Sequence, residues 1–179
     1  MILGDRKIKE AISNGDIVIE PYDESCVGSN SIDVHLGRTL AVYQDAVLDA
    51  KLPNQVTYFD IPEGGFDLKP GQLYLAATME YAGSRKYLCN LDGKSSIGRL
   101  GIFIHVTAGR GDVNFVNHWT LEVVCVHPVR VYAGMKIGQF TFCETTEIDE
   151  TYDMKTSAKY NGRDPRPMPS MMWKNFVKQ

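Results

Sequence analysis

The chain has 179 residues, 44% of them hydrophobic, and a formal net charge of −3. That length supports one core and reads most simply as a single domain over 1–179, while the charge leaves no basic footprint for DNA or RNA. No apolar run is long enough to cross a membrane, and Met1-Ile2-Leu3 passes at once into the charged Asp5-Arg6-Lys7, unlike a signal peptide. Cysteines 26, 89, 125 and 143 are scattered, with no C-x-x-C pair. They are expected to be free thiols of a reducing, cytoplasmic environment.

In chain order, a helix is predicted from Asp5 to about Ser13, with Asp5 as cap, Ile8, Ala11 and Ile12 on one face, and Asn14-Gly15 as its stop. Short apolar segments broken by turn residues follow: Thr39 to Tyr43, Leu73 to Met79, Gly101 to Val106, Thr120 to Val126 and Lys136 to Phe142. With almost no second helix, this spacing predicts a sandwich or barrel of about ten or more strands. From residue 145 the character changes. An acidic, polar stretch gives way to Lys155, Lys159, Arg163 and Arg166 among prolines 165, 167 and 169, a composition that also suits a solvated, partly disordered end.

The densest chemistry lies in Asp92-Gly93-Lys94-Ser95-Ser96-Ile97-Gly98-Arg99-Leu100-Gly101, then His105-Val106-Thr107-Ala108-Gly109-Arg110-Gly111-Asp112, then Thr120-Leu121-Glu122. Lys94, Arg99 and Arg110 bring positive charge, Ser95 and Ser96 bring short donors, and the glycines let backbone amides approach an anion. A carboxylate is not needed to hold phosphate. Glu122 on an apolar strand therefore implies a role in chemistry or a buried ion pair. Gly93-Lys94-Ser95 is not a P-loop, because Leu88 stands where that motif needs its first glycine and no amphipathic helix is expected after Ser96. The zinc-deaminase signatures H-x-E and P-C-x-x-C are absent, and histidines 35, 105, 118 and 127 show no metal-ligand spacing with the cysteines.

These three runs resemble the dCTP deaminase branch of the dUTPase superfamily, including the bifunctional dCTP deaminase/dUTPases. The resemblance extends to Met1-Ile2-Leu3-Gly4-Asp5, Ser31-Ile32-Asp33-Val34-His35-Leu36-Gly37, Pro70-Gly71-Gln72, Thr78-Met79-Glu80, Gly134-Met135-Lys136-Ile137-Gly138-Gln139 and Ser157-Ala158-Lys159-Tyr160, in order along nearly the whole chain. It implies a mainly β fold, a distorted jelly-roll-like β-barrel with a short N-terminal helix. It also implies a homotrimer or hexamer with active sites between subunits, and a tail, 145–179, that closes over the nucleotide.

By the same resemblance, Glu122 is the general base that activates water, Arg99 pairs with it and aims it, and Ser95 orients the water. Asp112 binds the deoxyribose 3′-hydroxyl and in bifunctional relatives helps water attack the phosphate; a turn-capping aspartate is the plainer alternative. Triphosphate contact falls to Lys94, Ser96, Arg110, Tyr152, Lys159, Tyr160 and Arg163, with Mg²⁺ carried on the phosphates and no zinc. Backbone groups from Thr107 and Ala108 to Gly111 read the base. His105 is either a core histidine or a shaper of the pocket. The implied activity is zinc-independent deamination of dCTP to dUTP, continuing to dUMP and pyrophosphate, in the cytoplasm, with dTTP as a candidate inhibitor. A plain dUTPase and an inactive nucleotide-sensing member are the alternatives.

Three departures from the family pattern carry expectations of their own. Val113-Asn114-Phe115-Val116-Asn117 replaces Pro-Gly-aromatic-x-Gly, and asparagine's tolerance of positive φ predicts that the turn survives. Arg163 stands where some relatives have glutamine. Gly109 stands where single-activity deaminases often carry histidine, which tilts the reading toward the bifunctional type by leaving room in the pocket.

Overall fold

A computed structural model of the chain describes residues 1–177. Lys178 and Gln179, the end of the expected tail, lie outside the described residues. Helix α1 spans Asp5–Ser13 as predicted and buries Ile8 and Ala11. Its cap differs from the prediction: Gly4 is the N-cap, and Asp5 is the first helical residue and makes no side-chain cap bond. Asp5 still places negative charge at the positive end of the helix dipole. Asn14 caps the C-terminus, and Gly15 takes the left-handed φ of 77° that ends it.

Twelve strands follow. They are β1 (Ile17–Glu20), β2 (Ile32–His35), β3 (Thr39–Tyr43), β4 (Val56–Asp60), β5 (Phe66–Leu68), β6 (Tyr74–Ser84), β7 (Leu88–Gly93), β8 (Ile102–Phe103), β9 (Arg110–Gly111), β10 (Val116–Cys125), β11 (Val129–Val131) and β12 (Lys136–Cys143). One sheet runs β4-β3-β6-β10-β8, with β1 also on β6; a second runs β2-β12-β7-β9, and β11 pairs with β5. Side chains from the two larger sheets form one core, where Trp119 of β10 meets Phe140 of β12 edge-on with ring centroids 4.9 Å apart. Phe140 and Phe142 are wholly buried, and each contributes roughly 1.5–3 kcal/mol of apolar burial. The fold is mainly β, with a single core between sheets as expected.

Several predicted strands change length. Gly101 to Val106 contributes only the two paired residues of β8, because the chain then turns away to carry His105 and Val106 toward β10. Strands β6 and β10 run farther than their apolar segments. Their pairing is interrupted between His118 and Thr120, where Thr78 Oγ1 accepts from the Trp119 amide at 2.9 Å and replaces the missing ladder partner. A five-residue helix, α2 (Ser95–Arg99), forms where only turns were expected, and it buries Ile97 alone. All four cysteines are free. Burial pushes the Cys89 thiol well above its ordinary pKa, which makes it a poor nucleophile.

The unusual segment after Asp112 folds as a tight turn. Phe115 donates its amide to Asp112 O at 3.0 Å, and Asn114 sits between them at φ 67°, the one left-handed non-glycine among the described residues. Asn114→Val should therefore lower unfolding free energy by about 1–2 kcal/mol, and Asn114→Gly should stay within about 1 kcal/mol of the parent. Urea denaturation of the three proteins measures this; equal stability of the valine variant would contradict the turn.

Candidate active site

Strand β10 alternates strictly, so Trp119, Leu121 and Val123 enter the core while His118, Thr120 and Glu122 face the other way. They form the floor of a cavity of about 550 Å³. Leu75 of β6 lies opposite Glu122 in register and presents its side chain on the same face, with Tyr43 of β3 beyond. Arg110, Gly111 and Asp112 supply one wall. Tyr152, Tyr160, Met168 and Ser170, all from the tail, supply the roof.

Glu122 is half-buried and anchored by one oxygen: the Val106 amide donates to Oε2 at 3.1 Å. Oε1 has no partner among the described residues, so the carboxylate is fixed in direction yet free to take a proton. Asp112 is held comparably, with Lys155 Nζ donating to Oδ2 at 2.9 Å. The Lys155 ammonium is raised above its ordinary pKa, first by that hydrogen bond and then by the Asp112 charge. Arg110 lines the cavity and reaches Asn90 Oδ1 through Nε at 3.4 Å.

The tail is seated rather than dispersed. Tyr152 donates its amide to Val113 O at 2.9 Å and sets its ring edge-on to Phe115 at 4.9 Å. Its hydroxyl accepts from the Tyr160 amide at 3.0 Å, and Tyr160 O accepts from the buried Asn117 side chain at 2.9 Å. Farther along, Met168 donates its amide to Thr120 Oγ1 and Ser170 donates to Tyr43 Oη, both at 2.9 Å. Each bond satisfies a polar group that the sheet face would otherwise leave to solvent.

The expected site residues divide into two groups. Glu122, Asp112, Arg110, Ala108, Tyr152 and Tyr160 meet at this cavity. Ser95, Ser96 and Arg99 do not: they are exposed on α2, which leads into β8, the outermost strand of its sheet. Arg99 has no ion-pair partner among the described residues, so the expected Arg99/Glu122 pair is not formed within one chain. Lys94, the residue capping α2, is bound to Asp33, which also receives Lys136 Nζ at 3.0 Å. Burial raises the Asp33 carboxyl, but the hydrogen bonds and charges of the two lysines outweigh it and leave its pKa below the usual carboxylate value.

Thr107 is exposed outside the cavity, and Lys159 is half-buried beside it without a partner among the described residues. Arg163 is elsewhere, stacked 4.2 Å over Tyr81 and paired with Glu20 in a separate open cleft. Gly109 does not leave open room. A Cβ there would stand 2.5 Å from Leu91 O and 3.1 Å from His105 Nε2, so the close approach of β7 itself requires glycine. The half-buried His105 ring keeps Nδ1 without a hydrogen-bond partner among the described residues. Sequence reasoning passed over Lys155, Thr120, His118, Tyr43 and Met168. The alternation of β10 could have found Thr120 and His118; the others meet the site only through tertiary folding.

No group of three or more His, Cys, Asp or Glu side chains suited to a metal ion occurs among the described residues, and no helix there is long and apolar enough to cross a membrane. An antiparallel β fold with two directed carboxylates and an arginine in a roofed cavity has the make-up of an enzyme acting on a small polar ligand. A family model described as dCTP deaminase-like matches residues 2–145. A protein of Cytophaga hutchinsonii named dCTP deaminase, dUMP-forming is 47% identical over 178 residues, covering 99% of this chain and 100% of its own. One of the same name from Clostridium acetobutylicum is 44% identical over 177 residues, covering 99% of each chain. The 2′-deoxycytidine 5′-triphosphate deaminase of Agrobacterium tumefaciens shares the fold at a TM-score of 0.63 and 22% identity; the likeness covers 79% of this chain and 47% of that one. This chain belongs to the dCTP deaminase-like family.

Proposed function

We propose that the protein deaminates dCTP by hydrolysis and carries the product on to dUMP and pyrophosphate. The observation that carries the reading is Glu122, anchored through one oxygen and free at the other, in one cavity with Asp112 and Arg110. Glu122 takes one proton from water as the oxygen bonds to cytosine C4 and delivers it to the ring nitrogen; it then moves the proton of the new C4 hydroxyl to the amino group, the C4–N bond breaks, and dUTP and ammonia result. A second water then attacks the α-phosphorus, with Asp112 accepting its proton. The bond to the β-phosphate oxygen breaks, and dUMP and pyrophosphate leave.

The reading assigns Ser95, Ser96, Lys94 and Arg99 to a neighbouring copy's site, in a trimer or a hexamer built from trimers. Ser95, Ser96 and Arg99 are exposed on α2, half-buried Lys94 stands at the N-cap of that helix, and all four lie outside their own chain's cavity, which supports this. Mg²⁺ arrives on the triphosphate, since Asp112 and Glu122 are the only carboxylates lining the cavity among the described residues, too few for a protein cage. dTTP offers the same sugar and triphosphate and is proposed to compete for these contacts. A cytoplasmic location suits the free thiols.

The test is to incubate purified protein with dCTP or with dUTP, with and without Mg²⁺, and resolve the products. dCTP should give equal ammonia and pyrophosphate with little free dUTP, and elemental analysis should find no stoichiometric zinc. Stoichiometric release of dUTP, with added dUTP left intact, would leave a single-activity deaminase. Cleavage of dUTP without attack on dCTP would identify a plain dUTPase, and inertness toward both a nucleotide sensor.

A further inference from the structure

Lys155 belongs to none of the recognised motifs, yet among the described residues it is the one side chain that ties the tail directly to a cavity carboxylate. Asp112 lies between two hollows. It lines the main cavity and also a smaller one of about 130 Å³, enclosed with Val113, Ile148, Glu150, Tyr152 and Lys155. From that far side Lys155 Nζ grips Oδ2 at 2.9 Å, and Oδ1 is left without a partner among the described residues. Lys155 also heads the turn that leads to Tyr160: it donates its amide to Tyr152 O at 3.2 Å and accepts from Ala158 at 3.0 Å. Placing Lys155 therefore needs the Tyr152 turn docked on Val113 and Phe115.

We propose that Lys155 is a positioning residue that makes the phosphate-cleaving step depend on the seated tail, by fixing one oxygen of Asp112 so that the other faces the attacking water. The proposal rests on the functional reading above. A carboxylate held at one oxygen loses rotational freedom before the reaction, which is where positioning accelerates a bimolecular attack. Deamination uses Glu122 and has no need of this grip.

The test compares Lys155→Met and Lys155→Arg with the parent, measuring ammonia and pyrophosphate from dCTP and pyrophosphate from added dUTP. The pair is exposed, so both variants should fold, which the thermal midpoint checks. Lys155→Met should lose about tenfold or more in pyrophosphate release while ammonia release falls far less, so that dUTP accumulates. Lys155→Arg, which keeps a cation within reach of Oδ2, should restore most of the lost step. Equal loss of both products, an unchanged product ratio, or no recovery in Lys155→Arg overturns the proposal. A parent protein that leaves dUTP intact removes the functional reading itself, and the coupling falls with it.

Discussion

Glu122→Gln should reduce ammonia release from dCTP by about 10²–10⁴-fold, the usual worth of a positioned general base. The amide is nearly isosteric and can still accept the Val106 N–H, so the cavity keeps its shape. It cannot take a proton from water at neutral pH. Calorimetric titration with dCTP should accordingly give an affinity close to the parent's, placing the loss in turnover rather than binding. Added dUTP should still be cleaved, since the proposed mechanism gives that step to Asp112. Substantial residual deamination would take Glu122 out of the mechanism.

Arg99→Ala should be as inactive in deamination as Glu122→Gln, yet the two inactive proteins should repair each other when assembled together. If α2 of one copy serves the cavity of the next, as proposed, random mixing at equal amounts puts an intact Arg99 beside an intact Glu122 in about one quarter of sites. Co-expression with distinct tags, tandem purification and an ammonia assay read the recovery. A mixture as inactive as its components would place Arg99 and Glu122 in the same chain's site, contrary to the exposure of α2. Unlike the Glu122 result, this one depends on which copy supplies each group.

Much of this arrangement could be read in the sequence, for local reasons. The helix from Asp5 to Ser13 and the strand from Thr39 to Tyr43 are fixed by near neighbours, through periodicity and stop residues. Asn114 is similar, because its backbone preference is its own. The lengths of β6 and β10 were not legible: their extension depends on Thr78 completing a broken ladder and on Asn117 finding a partner 43 residues away in the tail. Lys155 met Asp112 across the same sequence separation, with no pattern to announce it. The Asp5 cap was lost to Gly4, a one-residue matter of where the backbone turns. Arg163 was assigned by alignment with a glutamine, but arginine's longer, charged reach finds Glu20 and the Tyr81 ring instead.

The roof over the cavity is hung from a few points, among them Thr120 Oγ1, Tyr43 Oη, the Asn117 amide and the Val113 carbonyl, none of them part of a continuous ladder. Such a cover can lift as a unit while both sheets stay intact, since no strand pairing has to break. Entry of substrate and exit of product then share one event, opening, whose frequency is set by those isolated hydrogen bonds. On the proposed function, a uracil nucleotide formed beneath the roof would face a race between lifting of the cover and the second hydrolysis. On that reading, early loss of the intermediate depends on how often the tail's separate fastenings, the Lys155 grip on Asp112 included, let go together.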